Sequence, residues 1–183
     1  MIEDSANLMK RITSWPAASL MLVATIVLFV TYLDYIQPLR DYGAGAVHLD
    51  IRFGGYSHAD VLKYFETLGT EGRSFYAKTT LFDTVWPLGV TFCGALWAPL
   101  AFRGNRMIVA VAFFPVMFGI LDLFENVGLW AMLAQHPEVS PTVAKISNAI
   151  TLAKQAMIPG ATLAVPALPV IAALRGRSRP GAA

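Results

Sequence analysis

Four stretches of the chain, residues 17–37, 79–102, 107–133 and 147–174, are almost continuously apolar. A helix needs about 20 such residues to cross a hydrocarbon layer about 30 Å thick, so the pattern predicts four transmembrane helices. The sizeable polar segment lies between the first two, at residues 38–78. Within it, Ser57 and Asp60 make a serine-x-x-acid start. Val61, Leu62, Phe65 and Leu68 then form one apolar stripe, Lys63 and Glu66 face away, and Gly69 suits the stop. A short amphipathic helix is expected there, either lying on the membrane surface as a lid over the bundle or packing on the loop. The fold class is therefore all-α, a polytopic four-transmembrane-helix bundle over residues 17–174 with an amphipathic helix in its outer loop. An N-terminal tail, 1–16, and a basic tail, 175–183, flank it.

Composition agrees. The chain is 56% hydrophobic and 14% charged, against roughly 25% charged residues in a soluble domain. Lys10 and Arg11 precede the first span without a small-x-small cleavage site after it, so that span reads as a retained anchor. Lys10, Arg11, Arg103, Arg106, Arg175, Arg177 and Arg179 gather on one side and mark it as cytoplasmic. Both termini are then cytoplasmic, and the alanine- and glycine-rich composition suggests a bacterial inner membrane. A net charge of +2 leaves no nucleic-acid footprint.

Several chemistries are excluded. One cysteine, Cys93, cannot support a paired-cysteine thiol oxidase and reads as a small hydrophobe. His48, His58 and His136 all lie outside the spans, so no intramembrane haem is expected. Walker, dinucleotide-binding and HExxH patterns are absent, as are the asparagine motifs of lipoprotein signal peptidase. Neither a cofactor nor a metal is expected.

Charges inside the spans carry the strongest functional signal. Asp34, Asp83, Asp122, Glu125 and Lys154 each cost up to roughly 3 kcal/mol at the bilayer centre, and such residues usually face a bundle interior. Counted along each helix, all five fall roughly 23–30 Å from the cytoplasmic edge, in one layer below the outer loop. Asp122, Glu125 and Asn126 share a face of span 3, while Asn148, Thr151, Lys154 and Gln155 share one of span 4. Lys154 is expected to pair with Asp122 or Glu125, leaving at least two carboxyls without a cation. A carboxyl in such a site can hold a proton near neutral pH and act as a general acid, proton carrier or hydrogen-bond donor. Pro87 and Pro159, one turn below Asp83 and Lys154, are expected to kink their helices. Arg73 and Tyr76 read as loop structure.

The order of elements resembles the EXPERA group, the sigma-2 receptor and emopamil-binding proteins. The matching residues are Asp34 at the end of span 1, Asp83 with Pro87 in span 2, and Pro159 in span 4. The resemblance implies a membrane domain that binds lipophilic, often cationic, molecules between helix-borne acids. Asp122, Glu125 and Asn126 have no counterpart in that layout, and Lys154 would repel a cation.

The expected function is binding of a lipid or lipophilic small molecule in an outward-facing acidic pocket, with rearrangement by acid–base chemistry as an extension. Asp122 and Glu125 would be the acid–base pair, with Asp34, Asp83, Asn126, Lys154, Asn148 and Gln155 contacting the ligand. The alternatives are a proton-coupled carrier, which four spans would need a homo-oligomer to build, and a structural subunit whose charges only hold helices in register.

Overall fold

A computed structural model describes residues 14–102 and 107–177. Lys10, Arg11, Arg103, Arg106 and Arg179, on which the expected orientation partly rests, lie outside the described residues, as do most of the N-terminal tail and the end of the basic tail. Helix α1 spans Trp15–Tyr42. Pro16 opens it, where a missing N–H costs nothing. The helix continues past the expected end at Gln37, because Pro38 falls in its last turns, and stops at Gly43. Its fully buried residues are Ala18, Thr25, Tyr32 and Leu39, each seven from the next, and Trp15, Met21, Leu22, Phe29 and Tyr35 pack beside that line on the rest of the bundle. Val23, Val27, Val30 and Leu33 are exposed, as hydrocarbon permits. Along that line the Trp97 indole donates to the Ala18 carbonyl at 3.0 Å.

Helix α2, His58–Ala101, opens with the expected capping box. The Ser57 hydroxyl accepts from the Asp60 amide, and the Asp60 carboxylate accepts from the Ser57 amide. Gly69 interrupts it at φ 63°, ψ −174°, a left-handed φ that costs a glycine little. The amphipathic helix therefore ends where expected, yet no linker follows, and the helix resumes at once into the span. Arg73 bridges the break by donating to the Phe65 carbonyl at 2.8 Å. The stripe of Val61, Phe65 and Leu68 turns inward onto Leu129, Met132, Val139 and Ala144 instead of onto a membrane surface.

Helices α3 (Met107–Gln135) and α4 (Pro141–Arg177) complete the bundle. Together with α1 and α2 they are long and apolar enough to cross a membrane, and the protein is a multi-pass membrane protein. Helical geometry continues through Pro87 and Pro159, and the non-helical residue within α2 is Gly69. Close approach depends on small residues: a Cβ on Gly94 would overlap the Pro115 ring, and one on Gly119 would overlap Thr91. Among the described residues there is no strand.

Apolar layers lie on both sides of a polar one. At the loop end, Leu49, Phe65, Tyr76, Leu129 and Met132 form one cluster. Further along the same helices Val90, Phe118 and Ala161 form a second, and Cys93, Trp97, Ala164 and Leu168 a third. Cys93 is a buried free thiol among hydrophobes, as expected.

Candidate functional site

Helical periodicity places Asp122, Glu125 and Asn126 inward between Phe118 and Leu129, while on α4 it places Ser147, Thr151 and Lys154 between Ala144 and Ala161. The two faces meet. The Lys154 ammonium contacts both acids: Asp122 Oδ1 at 3.1 Å, and Glu125 Oε2 in a closer ion pair. Thr151 donates to the other oxygen of Glu125. Asn126 donates to Asp122 Oδ2 and to Thr84 Oγ1 of α2, both at 3.0 Å. Its own amide oxygen is buried without a partner.

Asp83 enters from α2, where the Tyr32 hydroxyl of α1 lies against it. Sequence reasoning missed the fourth carboxyl, Asp50. It sits in a short 3-10 turn, Leu49–Ile51, in the loop after α1, is 4% exposed, and accepts from the Tyr76 hydroxyl at 2.7 Å. Tyr76, expected to serve only the loop, is fully buried beside the layer. Four buried carboxyls (Asp50, Asp83, Asp122 and Glu125) thus face one buried ammonium. Each ion taken out of water costs several kcal/mol, which attraction repays only where it is well paired. Lys154 serves Asp122 and Glu125 directly. Asp50 has the Tyr76 hydroxyl instead, and Asp83 lies beside the Tyr32 hydroxyl.

Other expected members sit differently. Asp34 is exposed on α1. It lies two residues past Tyr32, about 200° around the helix from the one buried line, and so is not part of the cluster. Asn148 and Gln155 turn their polar groups to the loop rather than to the carboxyls. Asn148 Oδ1 accepts from the Tyr56 amide at 2.7 Å, and Gln155 donates to the Arg52 carbonyl at 2.8 Å. The Tyr56 hydroxyl adds a bond to Ser147 at 2.9 Å. Burial raises the Tyr56 pKa above its ordinary 10.0, so the hydroxyl remains a donor at physiological pH. Gly55 makes the clamp possible, since its φ is +82° and a Cβ there would overlap the Asn148 amide.

The loop is thus clamped to α4 over the polar layer, and Asp50 projects from it into that layer. A shallow recess of about 390 Å³ beside Pro38, Asp41 and Tyr42 lies at the loop end of α1, apart from the cluster. Among the described residues, no three acids, histidines or cysteines converge as a metal site would require. No family model, curated protein or solved structure matches the chain.

Proposed function

We propose that the polar layer binds a lipophilic molecule by a polar end that donates hydrogen bonds. The observation that carries this reading is the imbalance of four buried carboxyls against one lysine. A purely structural seam needs its charges matched, because a buried unpaired charge is costly. Here Lys154 fixes Asp122 and Glu125, while Asp83 keeps capacity to accept from a ligand. An anionic headgroup is disfavoured in a layer so rich in acids, and an uncharged or cationic donor is favoured.

Apolar clusters close the layer on both sides, which favours a binding chamber over a proton-carrier path. Acid–base rearrangement of the ligand would use Asp83 as the acid or base, with Asp122, Glu125 and Lys154 as the fixed charges around it. The setting is a bacterial inner membrane with the loop outward and both termini cytoplasmic, so the ligand comes from the outer leaflet. The loop's clamp on α4 makes loop release one route of access.

Native mass spectrometry from lipid nanodiscs tests the reading. Wild type is expected to carry a discrete bound mass, and Asp83→Asn to lose it at least tenfold with its unfolding temperature unchanged. Absence of any adduct on the wild type, or equal adducts on both proteins, overturns it.

A further inference from the structure

The loop end holds two buried polar side chains that the carboxyl layer does not use. His48, two residues before Asp50, is 2% exposed, and neither ring nitrogen has a hydrogen-bond partner. Tyr64, on the first segment of α2, is 3% exposed, and its hydroxyl is equally unpartnered. Both rings stand against Tyr76, with centroids 6.5 Å and 5.8 Å from it. Buried polar groups pair in the large majority of cases, and each exception calls for an explanation. These two exceptions pack on one tyrosine, one from the loop and one from a helix, and a single bound polar group would satisfy both.

We propose that His48 and Tyr64 form a second polar subsite, one that binds a neutral hydroxyl group of the lipophilic ligand. The proposal rests on the chamber reading above and extends it to a specific chemistry. A neutral imidazole offers one donor and one acceptor, and a phenol offers both as well. A hydroxyl, itself one donor and one acceptor, is satisfied by that pair. A carboxylate or phosphate is not, because Asp50 stands beside the same tyrosines. Arg52, whose guanidinium lies 6.0 Å from the Tyr64 ring, does not supply the missing positive charge. It is held by Asp60 at 3.7 Å and by the Val47 carbonyl at 3.1 Å. Leu49, Val61 and Phe65 pack in the same cluster and give the ligand's carbon chain an apolar wall.

The chain has three histidines, so ¹⁵N-histidine labelling reads the site directly. The full-length protein in nanodiscs is titrated with dodecan-1-ol, with dodecanoate and dodecane in parallel, and His48→Gln assigns the resonance. The expected result is a saturable shift of the His48 ring nitrogens with the alcohol alone, while His58 and His136 stay still. Tyr64→Phe is expected to weaken the apparent affinity about three- to tenfold, the effect of one lost hydrogen bond. A one-to-one alcohol adduct in native mass spectra with unmoved His48 resonances overturns the subsite and leaves the chamber intact. An equal shift with dodecanoate overturns the neutral-hydroxyl assignment. No adduct and no shift overturn both readings.

Discussion

Lys154 is the residue on which the polar layer depends. Its ammonium is buried between Asp122 and Glu125, so Lys154→Met leaves two acids one turn apart with no cation between them. Removing one partner of a buried ion pair costs about 3–5 kcal/mol. A loss of that size is expected in unfolding measurements in a fixed detergent. Adding Asp122→Asn and Glu125→Gln to Lys154→Met should recover most of the loss, since no stranded charge remains. A Lys154→Met loss below about 1 kcal/mol, the range of exposed pairs, would mean that water reaches the group. Much of this layer was legible beforehand, because helical spacing alone puts Asp122, Glu125 and Asn126 on one face and Thr151 and Lys154 on another. The misplacement of Asp34 is equally instructive. Counting residues along a span gives depth but not direction around the axis, and Asp34 has the right height on the wrong side.

At the scale of elements, the loop after α1 is a clamped structure rather than a tether. Asn148, Ser147 and Gln155 hold it through Tyr56 and Arg52. The Tyr56 hydroxyl has a pH signature whose sign follows from its burial, which outweighs the opposite pull of its Ser147 and Thr151 partners. The Tyr56 pKa is raised in the folded protein, so its contribution is fully present below the unfolded value near 10.0 and is lost as pH rises through the folded value. The unfolding temperature of wild type is expected to exceed that of Tyr56→Phe by an amount worth about 1 kcal/mol from pH 7 to 9, with the gap closing above pH 10. A gap that widens there would refute burial of the neutral hydroxyl in the folded protein. Sequence could announce the helix after Ser57, because capping and periodicity are local. It could not announce Asp50 or His48 as buried, since irregular backbone has no period and their neighbours lie on helices distant in the chain. The stop at Gly69 was legible for the same local reason as the helix start, but not that the helix resumes there at once, so that the stop is a corner between two helical segments.

For the whole molecule, the bundle has a loop end with a buried acid layer and an opposite end built of small residues and Trp97. The orientation proposed for it places Phe53, which is 81% exposed, outside the cell. Phe53→Cys is expected to react with a membrane-impermeant maleimide in intact spheroplasts, while the buried Cys93 stays silent. Labelling only after lysis would invert the topology and move the ligand's source to the inner leaflet. The four predicted spans were recoverable from hydropathy because lipid imposes length and apolarity on any crossing helix; what lipid leaves undetermined is how those helices face one another. In α1 that freedom is nearly complete. Of 28 residues, four at intervals of seven are fully buried and a few aromatic and apolar neighbours pack beside them, while the lipid-facing remainder need only be greasy. Two proteins sharing this fold could therefore have first helices with almost no letters in common, because most of that helix's text describes its solvent.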